Sequence, residues 1–464
     1  MITSSFIDLV TEEISRRREE LFRYFNSALE GETLEHLIEM KFKEHWMPLP
    51  SASEEELQVI AVDSSYVGRI YAHGRSLHII RSVAVSSSGD IERDLRVEYN
   101  ASTRPRTITN LVRMLAEGLE YEVAERLLRR LQQGNVLVLL DGSLYSKLVH
   151  VPSEFKVDRN KDAYLTCMDS FLRLCKRASD LGALIVGVAK DSMSEHLRLY
   201  LYLEVAHDLL SSMMTKLRVR GENPAMLKTL EAVLKVWSLL PIPQRVAFLR
   251  KLVKAQGLGA YVMNELSLLA ELITDLGRRE SDYHLLMRFA KSEGCSKPLI
   301  IGCLRKRCRE KFECLNEKGV VKFVEDTWPL TIRELERSPS RLKEFKTWAG
   351  RVIMRTKELP AIITFYVLLR KGDIPLRVDI MVPSQDLPKF YSFHNIIEAK
   401  VNSGIIERIL MMLVKGYADT SVYNIWLFSA HHIVKMSRDE FEALENALRN
   451  MGIMLIPRRR MLLV

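Results

Sequence analysis

Two aspartates stand where a buried sheet could present them for chemistry. Asp63 follows Val59-Ile60-Ala61-Val62, and Asp141 follows Val136-Leu137-Val138-Leu139-Leu140, so each carboxylate ends an apolar run of strand length. On adjacent parallel strands the two would converge. Small residues follow each, Ser64-Ser65 and Gly142-Ser143, and leave room for a metal ion and a phosphate. An aspartate alone at such a place serves equally well to cap a turn; the pair says more than either member.

The segment between them supplies a third acid. Residues 106–131 have helical periodicity, and at about 100° per residue Val112, Ala116, Leu119, Val123, Ala124, Leu127 and Leu131 share one apolar face. Glu120 falls inside that face, whereas Glu117, Glu122 and Glu125 lie at its margins or beyond. A carboxylate aimed into a core is costly unless it is paired, protonated or bound to a cation. If the helix packs beside both strands, Glu120 meets Asp63 and Asp141. Three oxygen donors around one point suit Mn²⁺ or Mg²⁺. Such ions activate water and stabilise the leaving oxygen in phosphodiester hydrolysis.

The elements that must position these acids follow from the periodicity. Strand-like runs at 58–62, 77–86 and 91–99 precede the 106–131 helix; a strand at 135–140, a helix at 163–181 and a strand at 183–189 follow. Three successive strands followed by alternating helix and strand is the order of an RNase H-like core, an α/β fold whose first and fourth strands are parallel neighbours. Residues 194–276 read as helical, broken at Pro241 and Pro243. Strand character returns at 361–369 and 376–382 around the turn Lys371-Gly372-Asp373, extending the sheet. Helices are expected at 385–418 and 437–450, and a short final strand at 453–456. The expected division is an N-terminal helical segment (1–47), the first part of the core (57–193), a mainly helical insertion (194–355) and C-terminal strands and helices completing the core (356–464), with a linker at Pro48–Glu56.

The chain has 464 residues, 47% of them hydrophobic and 27% charged, which fits a globular protein with a real core. Its longest apolar runs fall short of a membrane span, and its first residues lack the order of a signal peptide, so a cytoplasmic protein is expected. A formal charge of +9 favours a polyanionic partner. The basic clusters at Arg16–Arg18, Arg305–Arg309 and Arg458–Arg460 are read first as solvated faces and second as phosphate contacts.

The segments VIAVDSS (59–65), LHIIRSVAV (77–85), EYEVA (120–124), VLVLLDGSL (136–144), GVAKDS (187–192), SDYHLL (281–286), ITFYVLLRKGDIPLRVDI (363–380) and YNIWLFSAHH (423–432) resemble, in order, the motifs of the NurA nuclease family. The resemblance implies a manganese-dependent deoxyribonuclease that degrades single strands and duplex ends 5′ to 3′. It also implies a homodimer that works with the hexameric HerA translocase in DNA end resection. Asp63, Glu120 and Asp141 match the family's acidic metal ligands, and Tyr423 and His431 its active-site tyrosine and histidine. Glu122 takes the place of Glu120 if the motif is aligned two residues later. The family's first motif is Asp-Gly-Ser, where this chain has Asp63-Ser64-Ser65. Serine disfavours positive φ, so a divergent, weakly active relative that binds DNA or the translocase is the second reading.

Of the adjacent pair His431 and His432, one is expected to face inward. His431 could bind metal or donate a proton, since imidazoles titrate near neutrality. Lys190 and, more weakly, Arg377 are candidate phosphate contacts, and Tyr366 is read as core. Four of the six cysteines, Cys295, Cys303, Cys308 and Cys314, fall close together without a C-x-x-C pair. Buried thiols, disulfides, and a zinc or iron–sulfur site are the readings, in that order.

Overall fold

The computed structural model describes residues 6–25, 32–50, 58–101, 104–131, 135–190, 192–221, 223–255, 259–278, 280–382, 386–400 and 403–457. Residues 51–56 of the expected linker and the Arg458–Arg460 cluster lie outside the described residues. The chain forms two compact units, one of Met1–His45 with Glu195–Ser281 and one of Trp46–Ser194 with Asp282–Val464. The expected insertion is thus divided: 195–281 belongs to the first unit and 282–355 to the second. The first unit is helical, with Glu32–His45, His196–Arg220 and Met263–Leu276 packed on one another. None of the described helices is long and apolar enough to cross a membrane.

The second unit is built on a mixed sheet. Its core strands are β1 (Gln58–Ile70), β2 (Arg75–Ser86), β3 (Ile91–Ala101), β4 (Val136–Asp141), β5 (Leu184–Ala189), β6 (Ile362–Leu368) and β7 (Leu376–Met381). They lie in the order β6-β7-β5-β4-β1-β2-β3. β1 runs antiparallel to β2 and parallel to β4, and β5 runs parallel to β4. This is the strand arrangement expected of an RNase H-like core. The β6–β7 hairpin adds antiparallel strands beside β5, turning at Gly372 with φ of 84°. Short strands at Trp46–Met47, Gly294–Ser296, Leu299–Ile301 and Ile396–Glu398 extend it beyond β6.

Alternation along the strands separates two faces. Val59 and Ala61 of β1, Val83 and Val85 of β2, and Leu137 and Leu139 of β4 share one face with Leu427, Ala430 and Val434 and with Ile409, Met412 and Leu413. These last residues belong to helices Ile425–Val434 and Ser403–Gly416, which cover that face. The other face carries α1 (Pro105–Leu131), which packs on β1–β3 and on a second helix, α2 (Ala163–Leu181). Sandwiched in this way, α1 is buried nearly all round.

Three elements differ from expectation. β1 does not stop at Val62: hairpin pairing with β2 carries it on to Ile70. Among the described residues of 385–418 only Ser403–Gly416 is helical, because Ile396–Glu398 instead pairs with Leu299–Ile301. Residues 453–456 form no strand; their contact with the core includes a bond from the Ala72 amide to the Ile456 carbonyl.

One close approach fixes the turn after β4. Gly142 has φ of 92°, and its amide donates to the Val188 carbonyl of β5 at 2.9 Å. The turn lies so near β5 that a Cβ on Gly187 would stand 2.7 Å from the Gly142 oxygen and 2.9 Å from the Leu144 nitrogen. Backbone cannot yield there as a flexible side chain would. Gly187→Ala is therefore expected to cost about 1–3 kcal/mol, read as a lowered midpoint in denaturant; an unchanged midpoint would show that the turn has slack.

Candidate active site

The parallel ladder between β1 and β4 runs from Gln58↔Val136 to Val62↔Leu140. The next residues are Asp63 and Asp141, so two carboxylates leave adjacent strands at one level. By alternation both lie on the face covered by the Ile425–Val434 helix. His431 of that helix bonds through Nδ1 to Asp63 Oδ2 at 2.8 Å. Tyr423, just before the helix, donates its hydroxyl to Asp141 Oδ1 at 3.2 Å. Burial pushes the Asp63 carboxyl above its ordinary value; the Asp141 charge pushes the same way, while the His431 bond pulls against both. Burial, then the charge of Asp141 and its hydrogen bond, keep the Tyr423 phenol protonated.

The helix that brings these groups was not anticipated as a helix. Asn424 caps its start by accepting from the Leu427 amide, and Leu427, Ala430 and Val434 bury its inner face. His431 turns to Asp63, whereas His432 faces outward, its ring centroid 4.2 Å from that of Phe428. Lys190 is exposed at the end of β5 and sets Nζ 5.3 Å from the centroid of the Tyr423 ring. It stands beside Tyr423, the partner of Asp141.

Two expected residues are placed otherwise. Glu120 does not meet the aspartates: Ser64, the neighbour of Asp63 that points to the α1 face, donates to Glu120 Oε1 at 2.6 Å, and Lys147 Nζ bonds Oε2 at 2.8 Å. Both its oxygens are therefore engaged on the opposite face of the sheet. Arg377 is 2% exposed, and its Nε donates to Asp379 at 2.8 Å on that same α1 face. Buried and engaged there, it is not presented to a phosphate at the aspartates. The alternative acid, Glu122, accepts from Ser170 Oγ at 2.9 Å.

Lys147 and Asp379 are the positioning residues that sequence reasoning missed. Lys147 lies on the five-residue helix Leu144–Leu148 that follows the Asp141 turn. Asp379, fully buried in β7, accepts from Ser143 Oγ at 2.6 Å, the Tyr145 amide at 3.0 Å and Thr364 Oγ1 at 2.8 Å. It thereby pins both ends of the turn from Asp141 to the short helix. The Asp at the second alternate position of the apolar run LRVDI was the available signal.

The sequence matches the NurA domain over residues 57–436, most of the chain. The chain belongs to the NurA domain family. Among solved structures, the NurA nuclease from Sulfolobus solfataricus is similar in fold, with a TM-score of 0.51 at 13% identity over 97% of this chain and 99% of that one. A second NurA crystal structure aligns at 18% identity over 95% and 99% with a TM-score of 0.43, and one of NurA with manganese at 19% over 94% and 98% with a TM-score of 0.38. No curated protein matches the sequence.

Serine in the first NurA motif is accommodated without strain. Ser64 lies within β1, opposite Ser82, and the described non-glycine residues with positive φ are Asn135, Asn160 and Asn223. Its hydroxyl ties the strand to Glu120, a contact glycine cannot make. The cysteines are all free thiols; Cys167, Cys295, Cys303 and Cys308 are buried, and Cys175 and Cys314 half-buried. Tyr366 is buried and bonds Asp282 and Ser194.

Burial raises the Glu120 carboxyl despite the opposing pull of Lys147. Burial would lower the Lys147 ammonium, but the charges of Glu120 and Glu117 outweigh it and hold it above its ordinary value. Lys147→Met strands Glu120 as a buried charge, an expected loss of about 3–5 kcal/mol. In that variant the unfolded chain gives up the Glu120 proton first as pH rises past about 4.5, and the native chain only later. Stability should therefore fall from pH ~5 to ~8, and Glu120→Gln in the same background should flatten the trend. Urea titrations that show equal stability at both pH values would refute the pairing.

Proposed function

We propose that this NurA-family chain is a metal-dependent deoxyribonuclease in which Asp63 and Asp141 hold Mn²⁺ or Mg²⁺ and His431 serves as the proton donor. The observation that carries this reading is the convergence of Asp63 and Asp141 from adjacent parallel strands beneath Tyr423 and His431. The donor set fits such an ion. Two oxygen-donor groups repel one another at a partly buried site, and a hard dication relieves that repulsion. Among the described residues no cluster of three or more acids, histidines and cysteines is pre-formed for a metal. Glu120 stands apart from the aspartates, and its role is to hold β1 through Ser64 rather than to bind the ion.

When bound, the ion supplies Lewis-acid stabilisation of the phosphoryl oxygens and activation of water. The remaining steps belong to the side chains. Tyr423, protonated, fixes the orientation of Asp141. His431 bonds Asp63 through one ring nitrogen, and its half-exposed ring leaves the other to exchange a proton with the leaving oxygen. Lys190 offers an ammonium to a non-bridging phosphate oxygen. Family resemblance supports the finer reading: digestion of single strands and duplex ends 5′ to 3′, a homodimer, and action with a HerA-type hexameric ATPase in resection, homologous recombination and DNA repair in the cytoplasm.

Digestion of single-stranded and blunt duplex DNA with Mn²⁺, Mg²⁺ or EDTA tests the proposal. Asp63→Ala and Asp141→Ala are each expected to lower the rate about 10²–10³-fold or more, with EDTA abolishing it. Cleavage that survives EDTA or both substitutions overturns the metal mechanism. Intact DNA binding with no cleavage under any metal would instead establish a DNA- or HerA-binding module.

A further inference from the structure

Beside the carboxylates, on the same face of the sheet, runs a groove that none of the family motifs explains. The Ile425–Val434 helix packs over β1 and β2 and leaves Arg93 and Leu95 of β3 exposed. Between helix and strand lies a cavity of about 450 Å³ with Val83, Ile433 and Val434 on its walls and Arg81 and Arg93 at its rim. The registers place these arginines. Asp63 pairs with Val83 and Val83 with Arg93, so Asp63 and Arg93 lie in one row across three strands; Ser65, Arg81 and Leu95 form the next row. With two strand spacings between them, Asp63 and Arg93 are about 10 Å apart along the row.

The groove is electropositive. Among the described residues Arg93 has no hydrogen-bond or ion-pair partner, and Arg81 makes a long ion pair with Glu440 at 3.8 Å. Asp94, which also lines the cavity, is neutralised by Arg126 at 2.7 Å. An exposed, unpaired guanidinium on a sheet face beside a carboxylate pair gains little for the fold. It is suited to a phosphate.

We infer that this groove seats the phosphodiester backbone of the DNA strand that leads to the carboxylates, with Arg93 and Arg81 as its phosphate contacts. The inference rests on the nuclease reading of Asp63 and Asp141. The strand crosses the exposed part of β3, its charges over the arginines and its sugars against Leu95 and Ile433, and passes beside the Ile425–Val434 helix, which covers Val83, to reach the carboxylates.

The test is fluorescence anisotropy of a fluorescein-labelled single-stranded oligodeoxynucleotide with the full chain in EDTA, over a series of KCl concentrations. Arg93→Gln should weaken binding roughly tenfold and reduce the slope of log affinity against log salt by about 0.7. Adding Arg81→Gln should reduce the slope by about the same amount again. Arg341→Gln, on the exposed side of the Pro339–Lys357 helix, makes the same change in net charge and should do neither. Wild-type affinity and slope in Arg93→Gln overturn the inference, as does an equal loss in Arg341→Gln. Because Arg93 is exposed, that variant should keep the wild-type melting temperature, so its result stands if Arg81→Gln fails to fold. A chain that binds through the groove but never cleaves sinks the nuclease reading alone; one that cleaves while Arg93→Gln binds normally sinks the groove alone.

Discussion

The parallel pairing of β1 with β4 is the constraint on which the site depends. It ends at Val62↔Leu140, one residue short of both aspartates, and strand alternation turns both carboxylates to the same face. Two like charges brought side by side on a sheet oppose folding. The opposition is outweighed by the ladder beneath them, in which Val59, Ile60, Ala61 and Val62 face Leu137, Val138, Leu139 and Leu140 and are almost wholly buried. Apolar burial at about 25 cal/mol per Å² makes such a floor strong enough to hold an electrostatically unfavourable pair in place. Beyond Val62 the partnership changes: β1 loses β4 and continues only against β2. Asp63 therefore stands at the point where one side of its strand becomes open to a ligand.

The two faces of the sheet divide the work. On the α1 face the two carboxylates are satisfied: Glu120 with Lys147 and Ser64, Asp379 with Ser143, Tyr145, Thr364 and Arg377. Buried networks with their partners in place rigidify what they join, and these join β1, the turn after β4, and β7. On the opposite face Asp63 and Asp141 have one protein partner each from the helical segment and repel one another. Rigid support on one side and unmet electrostatic demand on the other is the distribution expected of a binding site.

The carboxylate pair was legible in the sequence because each acid interrupts a strand-length apolar run, and Glu120 because it breaks a helical face. What lay beyond reach was the partner of each group. Glu120 is answered by Lys147, from a helix too short to announce itself by periodicity. Arg377 looked available because LRVDI is apolar at alternate positions, which marks one buried face and says nothing about what covers the other. Here both are covered, and every residue of β7 is buried. Ser64 and Ser65 read as a turn, yet hairpin pairing holds them extended, an instance of tertiary context overriding local preference. The run Ile425 to Val434 gave no clear period because only Leu427, Ala430 and Val434 are fully buried, while Phe428 and His432 face outward.

That same helix explains why Tyr423 and His431 act on different carboxylates from one segment. Its cap residue, Asn424, is fully buried, and it approaches Gly416 so closely that a Cβ there would lie 2.6 Å from the Asn424 amide nitrogen. The cap fixes where the helix begins, and so where Tyr423 stands over Asp141. The apolar contacts at Leu427, Ala430 and Val434 fix its rotation, and so the side on which His431 emerges. Ala430 sets the depth: with no side-chain atom beyond Cβ, it lets the helix sit low enough for His431 to reach Asp63 and for Ile433 and Val434 to form a wall of the arginine groove. Packing rather than polar contact thus holds the histidine in register. The polar bond to Asp63 is left free to be exchanged for a ligand without loss of the helix.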